Sequence, residues 1–216
     1  LNIFQVGYPI GSFYGYRITG IYQNEDEVSK SAQDPSNNKP GTFKFKDISG
    51  PDGVPDGAIS ADDREIIGNP YPTFIFGITN NLDWKKFSLS FLVLGNIGQD
   101  VINANRYITD ALARGSQANV RKAAYDGRWT GEGTSNIYPE ATTSASPFSN
   151  RLTDFIVEDA SFVILKYITL AYTFENKKIK FARSLKLYVT GSNLLTLTHY
   201  KGYDPEINSH GDNSMT

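Results

Sequence analysis

Asp154-Phe-Ile-Val-Glu-Asp-Ala-Ser-Phe-Val-Ile-Leu-Lys-Tyr-Ile-Thr-Leu-Ala-Tyr-Thr-Phe174 and, after a short basic connection, Leu185-Lys-Leu-Tyr-Val-Thr-Gly-Ser-Asn-Leu-Leu-Thr-Leu-Thr-His-Tyr200 decide the fold. Two runs rich in β-branched and aromatic residues flank Glu175 to Ser184, which is the pattern of a hairpin. In the second run Leu185, Leu187, Val189, Leu195 and Leu197 share one face. Lys186, Tyr188, Thr190, Ser192, Thr196 and Thr198 share the other, with Leu194 the exception. A period of two sustained this far specifies a sheet with one apolar and one wet face. Ordinary strands run to about five or six residues, and a tilted strand crossing a bilayer needs roughly nine to eleven. Length therefore favours a membrane barrel over a soluble sandwich. No window of the chain approaches a transmembrane helix. A backbone in lipid must satisfy its polar groups internally, so any crossing is made by strands.

The 216 residues suffice for one or two domains. Aromatic residues make up 13%, and 19 Gly and 10 Pro stand against one Met, a composition suited to strands joined by many loops. A net charge of -2, with no Lys/Arg cluster, excludes the basic footprint of a nucleic-acid binder. With no Cys there are no disulfides and no thiol-ligated metals, a pattern compatible with an oxidising envelope compartment. Leu1-Asn-Ile-Phe-Gln-Val-Gly-Tyr8 has neither a basic n-region nor a long apolar run and is not a signal peptide. It reads as the middle of a pattern, so the chain is expected to be part of something longer.

Working outward, Tyr14 to Tyr22 reads as a strand with Tyr14, Tyr16, Ile18 and Tyr22 on one face, and Gln23 to Pro40 as a polar loop. Thr42 to Asp47 is a short strand. Asn69-Pro-Tyr-Pro72 is a rigid turn, Thr73 to Asn81 a strand, Leu82 to Lys85 a tight turn and Lys86 to Gly95 the returning strand. From Asn96 to Arg151 no long strand is signalled, though Val101 to Arg114 and Asn119 to Tyr125 have helical spacing. A loop of some fifty residues counts against a compact soluble domain. In an outer-membrane barrel it is expected, because turns are short on the periplasmic side and loops long outside.

Between the short strand and the rigid turn lies Ile48-Ser-Gly-Pro-Asp-Gly-Val-Pro-Asp-Gly-Ala-Ile-Ser-Ala-Asp-Asp-Arg-Glu-Ile-Ile-Gly68, the best metal candidate. With Asp52 in the first position of a Ca²⁺ loop, Asp56, Ala58, Ser60 and Asp63 fall on ligating positions and Gly57 on the sharp turn. Val54 then occupies a ligating position that it cannot serve. Alternatively Asp47 and Ser49 supply the early ligands and Gly50 to Pro55 is an insertion. The metal-free reading is a Gly/Pro/Asp turn followed by one helical turn capped by Ser60.

Five motifs occur in order: Gly7-Tyr-Pro-Ile-Gly-Ser-Phe-Tyr-Gly-Tyr16; Asp56-Gly-Ala-Ile-Ser-Ala-Asp-Asp-Arg64 with Ile67-Gly-Asn-Pro70; Arg128-Trp-Thr130; Val157-Glu-Asp-Ala-Ser-Phe162 with Leu165-Lys166 and Thr169-Leu170; and Gly191-Ser-Asn-Leu-Leu-Thr-Leu-Thr198 with Gly202-Tyr-Asp-Pro-Glu206. Over nearly its whole length the chain resembles the C-terminal part of a SusC/RagA-type TonB-dependent outer-membrane transporter. That resemblance implies an all-β fold, an antiparallel meander within a roughly 22-stranded transmembrane β-barrel with long, partly helical extracellular loops. It implies that residues 1–216 supply about five adjacent wall strands, with the plug and TonB box upstream and an aromatic-ended closing strand downstream. It also implies localisation in the bacterial outer membrane, import of oligosaccharides or peptides, a SusD-like surface lipoprotein as partner, and TonB engaged through the plug region.

Catalysis finds no support. His199 and His210 lie in or beside a terminal loop without a paired nucleophile, and adjacent Glu158 and Asp159 point to opposite faces of a strand. Trp129, Tyr138, Tyr200 and Tyr203 fall in predicted outer loops, where aromatic faces either stack on substrate or pack the loop itself. Lys166 interrupts the apolar face of Phe162, Ile164, Ile168, Leu170, Tyr172 and Phe174, which places it at an interface or marks a reversal of that face. The rival to a transporter wall is a soluble Ca²⁺-stabilised β-sandwich that binds glycans or adheres to surfaces.

Overall fold

The computed structural model of the chain describes residues 2–50, 52–110, 112, 119–142, 151–175 and 184–206. Its strands are β1 (Asn2–Ile3), β2 (Ser12–Gly15), β3 (Ile18–Ile21), β4 (Phe43–Phe45), β5 (Glu65–Gly68), β6 (Phe74–Trp84), β7 (Phe87–Ile97), β8 (Asp100–Ile102), β9 (Val157–Asp159), β10 (Phe162–Glu175) and β11 (Ser184–Thr198). The helices are α1 (Glu25–Lys30), α2 (Ala104–Thr109) and α3 (Lys122–Asp126), none long and apolar enough to cross a membrane. The chain divides into two compact units, one built from Leu1–Pro70 and Asp100–Glu158, the other from Tyr71–Gln99 and Asp159–Ile207.

The second unit is a four-stranded antiparallel sheet in the order β11-β10-β7-β6. Its strands have 11, 11, 14 and 15 residues from β6 to β11, all within or beyond bilayer-crossing length. The β6–β7 ladder is unbroken from Phe74↔Ile97 to Trp84↔Phe87, so the turn is only Lys85 and Lys86. The sequence places that turn at Leu82 to Lys85, three residues early. The alternation of Leu82 and Trp84 instead carries the strand on, and the Trp84 and Phe87 rings stack at 6.4 Å across its end. The connection between β10 and β11 lies outside the described residues.

One irregularity crosses three strands. Between Leu165 and Tyr167 the register slips: their partners on β7, Val93 and Leu92, are adjacent, whereas on β11 Asn193 and Leu194 lie between Leu195 and Ser192. Lys166 is therefore one residue in excess of β7, and β11 carries one more. This pair of nested β-bulges reverses the faces of β10, so Phe162 and Ile164 lie on the opposite side from Ile168, Leu170, Tyr172 and Phe174. Lys166 thus marks a reversal of the face. On β11 the bulge passes through Asn193, at φ 50°, and folds Leu194 over Gly191, where a Cβ would come within 2.9 Å of the leucine methyls. Leu194 so joins the apolar side that its number alone denies it.

The first unit contains short strands in three small groups, β1-β2-β5, β3-β4 and β8-β9. Tyr14 to Tyr22 is not a wall strand. Its chain breaks at Tyr16-Arg17, where Tyr16 donates its N–H to Leu152 O (2.9 Å) and accepts from Asp154 N (3.1 Å). β2 then pairs with β1 and β5, and β3 with β4. Four described strands rather than five therefore form the meander. The break also changes the buried set to Phe13, Ile21 and Tyr22. Around Ile21, Phe43, Phe45, Ile59 and Ile156 gathers a core that includes Tyr16, Trp129 and Phe155. Val101 and Ile102 join β8 rather than a helix, leaving α2 a short element. Gln23 to Pro40 contains α1, which the sequence reading as loop misses. Its signal is Asn24-x-x-Glu27: Asn24 Oδ1 accepts from Glu27 N (2.9 Å) and Glu27 Oε2 from Gln23 N (2.8 Å).

Candidate functional site

The four-stranded sheet presents one apolar face across every strand. Paired residues share a side, so the register assigns Phe74, Phe76, Ile78, Leu82 and Trp84 of β6 to the face of Phe87, Leu89, Phe91 and Val93 of β7. The same face continues through Ile168, Leu170 and Tyr172 of β10 to Leu187 and Val189 of β11. Asn80 is its one polar member between Phe74 and Trp84. Most of these side chains are exposed, Val189 to 76%. At the turn end the rings of Trp84, Phe87, Tyr172 and Phe174 form a contiguous aromatic run, with Phe87–Tyr172 at 4.8 Å and Tyr172–Phe174 at 4.5 Å. At the other end Phe74 stacks on Phe76 at 5.8 Å. An apolar band flanked by aromatic side chains is the pattern of the outer surface of a membrane barrel. The opposite face carries Asp83, Ser88, Ser90, Thr169, Lys186 and Thr190 near the turn, with Thr169 and Thr190 hydroxyls 2.8 Å apart.

In the acidic loop of the first unit, Gly50 N donates to Val54 O (2.6 Å) and Gly53 N to Gly50 O (2.9 Å). Asp52 is on this exposed excursion. Asp47 instead meets the later residues: its Oδ2 accepts from Gly57 N (2.9 Å), while Asp56 Oδ1 accepts from Ala58 N (2.9 Å). Ser60 caps the 3-10 turn Ala61–Asp63. Asp63 Oδ1 accepts from Ile48 N (2.9 Å) and Ser49 N (3.2 Å), and Oδ2 from Ser60 N (2.7 Å). Burial raises the Asp63 carboxyl, but these backbone donors outweigh it and hold the group below the usual range. Asp47 Oδ1 is buried without a hydrogen-bond partner, a donor atom that suits a cation. Among the described residues no three acidic, His or Cys side chains form a metal-holding group, so carbonyl and hydroxyl oxygens would have to complete any shell.

Trp129 and Tyr138 belong to the first unit. Trp129 is partly buried against the core and its Nε1 donates to Gln23 Oε1 (3.3 Å). Tyr138 sets its ring edge-on to Phe155 at 6.0 Å and lines a cleft of about 1120 Å³ with Gln23, Glu27, Lys44, Lys46 and Asn136. The sequence does not single out these polar residues, because they converge from segments about a hundred positions apart: Gln23 Nε2 donates to Ser135 O (3.1 Å), and Asn136 Oδ1 accepts from Ile21 N (2.8 Å). In the second unit Tyr200 folds over Gly202, whereas Tyr203 is 93% exposed. Trp129 and Tyr200 thus pack their own loops. Of the four, Tyr203 is the open aromatic surface, and Tyr138 is half-buried at the cleft. His199 lies just beyond β11, and His210 falls outside the described residues.

Ion pairs hold the first unit together. Asp110, fully buried, accepts from Arg106 Nε (3.1 Å) and Arg121 Nε (2.6 Å), and Arg106 also reaches Glu158 at 3.1 Å. Asp34 accepts from Arg151 at 2.5 Å and 3.1 Å. Burial raises the Asp34 carboxyl, and Arg151, Ser36 N and Asn37 pull it below the ordinary range. Burial likewise raises Glu65, and its pairing with Arg17 wins. These depressed groups bind fewer protons folded than unfolded, so the stability they give is complete above the unfolded pKa of about 4 and is lost as pH falls through their lowered values. Burial lifts Asp154 instead, a contribution of opposite sign from one group against four, since Glu27 is also held low by Gln23 N and Lys44. Protease cleavage of the first unit in the full-length protein should be flat from pH 8 to about 5 and accelerate below about 4. Acceleration on the alkaline side instead would contradict the assignment.

No family model matches the chain. It is 32% identical, over 99% of its length, to TonB-dependent receptor P3 of Formosa agariphila, and 29% identical, over 95%, to TonB-dependent receptor SusC of Bacteroides thetaiotaomicron. The chain spans about a fifth of these relatives, 20% and 18% of their lengths. Among solved structures it superposes on the RagAB peptide importer in the open-open state with a TM-score of 0.72 at 27% identity, covering 94% of this chain and 20% of that one.

Proposed function

Because the chain belongs to the SusC/RagA type of TonB-dependent receptors, we propose that β6, β7, β10 and β11 are wall strands of an outer-membrane nutrient importer. The first unit then forms part of its surface-exposed loops. The apolar face that crosses all four strands, with an aromatic run at its turn end, carries this reading. A soluble sandwich would bury those side chains against a second sheet; here most are exposed. The role is passage, not catalysis. The cargo is an oligosaccharide or a peptide, the latter supported by the solved peptide importer that the chain resembles. The partners are a SusD-like surface lipoprotein, docked on the extracellular loops, and TonB, engaged through the plug region of the receptor. Tyr138, at the cleft, and Tyr203 are the aromatic residues placed to touch cargo, with Trp129 and Tyr200 supporting their loops. The test is uptake of labelled peptides and oligosaccharides by cells whose only copy of the receptor is the plasmid-borne full-length gene. Uptake of one class should vanish on deletion of the gene and on loss of TonB. Uptake indifferent to both would reject the proposal.

We also propose Ca²⁺ in the acidic loop, where Asp47 and one further carboxylate, Asp63 or Asp56, would hold it together with the Ala58 carbonyl and Ser60, and Asp52 would stay outside. The buried, unpartnered Asp47 Oδ1 supports this. The ion would neutralise neighbouring carboxylates and fix the loop. Calorimetric titration of the full-length protein with Ca²⁺ should give heat that disappears in Asp47→Asn, with Asp52→Asn unchanged. No heat at millimolar Ca²⁺, a weak extracellular affinity, sinks it.

A further inference from the structure

The chain leaving β11 does not trail away but is tied back to the sheet at two points. Gln99, only 8% exposed, sits just past β7, where its O accepts from Ala160 N (2.9 Å). Its Nε2 donates both to Ala160 O and to Pro205 O, each at 3.1 Å. One amide thus joins the end of β7, the approach to β10 and the segment after β11. The second tie is Lys166, whose Nζ lies 2.9 Å from each carboxylate oxygen of Glu206. Pro205 is buried at its tie, and Asp204 Oδ1 accepts from Glu206 N (2.8 Å), setting the turn. Tyr200 lies against Gly202 at a distance that leaves no room for a Cβ there. Tyr203, at the crest, is exposed.

We propose that Gln99 and Lys166 form a catch that holds Gly202 to Glu206 as a fixed strap on the rim of the sheet, presenting Tyr203 to the outside in one orientation. The bulge at Lys166 gains a purpose from this. An extra residue in one strand re-aims a side chain, and here it delivers a lysine to a glutamate forty positions on. The catch explains why a cation interrupts the strand at that position, and it stands whichever cargo the receptor carries. A strap ordered in advance spares a partner or cargo the cost of ordering it on contact.

The test uses the full-length receptor in liposomes, with a nitroxide on cysteine at position 203. The label should give an immobilised spectrum in the otherwise native protein. Glu206→Gln and Lys166→Met should each convert most of the signal to the mobile form, and the exchange Lys166→Glu with Glu206→Lys should restore immobilisation. Glu206→Gln leaves every strand untouched, so its effect cannot arise from misfolding of the sheet. A label already mobile in the native background, or immobilised in both single variants, overturns the proposal.

Discussion

Val189→Arg in the full-length receptor should cost about 2 to 4 kcal/mol of bilayer-inserted stability, whereas Thr190→Arg, the very next residue, should be tolerated. Val189 stands directly opposite Leu170, which stands opposite Leu89, so three strands place it within the apolar face. Its side chain is 76% exposed with no protein layer over it. A guanidinium there must leave water for hydrocarbon, and depth sets the cost, which falls toward the interfaces. Thr190 pairs with Thr169 and points the other way, where an arginine keeps its hydration. Refolding titrations into vesicles read the difference in stability. Nitroxides give the geometry: at Leu187 and Val189 they should be relaxed by lipid-soluble oxygen, at Thr190 by a water-soluble reagent. A label at 189 shielded from both would mean a protein core there, and the wall assignment would fall.

Asp110→Ala should destabilise the first unit by about 3 to 5 kcal/mol, because removing one partner of a buried ion pair strands the other charge. Two guanidiniums converge on this fully buried carboxylate, and Thr109 Oγ1 adds a hydrogen bond at 3.1 Å. Arg106 retains Glu158 as a second partner, so the lower end of the range is expected. The control is Asp126→Ala, which removes an exposed helical pair with Lys122 that solvent screens, and should leave stability nearly unchanged. Hydrogen exchange followed by mass spectrometry on the full-length protein separates them. Amides of α2 and α3 should lose protection in the first variant and keep it in the second. Equal protection in both variants would show that the buried pair is not what holds these helices.

The membrane strands were legible because their information is local. Alternation along β6, β7, β10 and β11 is written in residues two apart, and the two pairs of long strands follow from it whatever the rest of the chain does. The Ser60 cap and the family motifs are local too. Lys166 and Leu194 appeared in the sequence as violations of the pattern, which located the bulges without saying how they resolve.

What only the tertiary structure decided depends on partners far along the chain. That β7 lies beside β10 requires everything between them to be accommodated elsewhere, a demand no window of sequence expresses. The break at Tyr16 is made by Leu152, and the edge of β3 is capped by Asn136, 115 positions away. Spacing alone left two alignments of the acidic loop, and a metal-free turn, open. The bonding of Gly50 N to Val54 O is what turns Asp47, rather than Asp52, toward the rest of the loop. Periodicity fixes which way a side chain faces along its own strand, since that is set by the backbone. Where a strand stops, bulges or changes neighbours is set by which distant group supplies the next hydrogen bond.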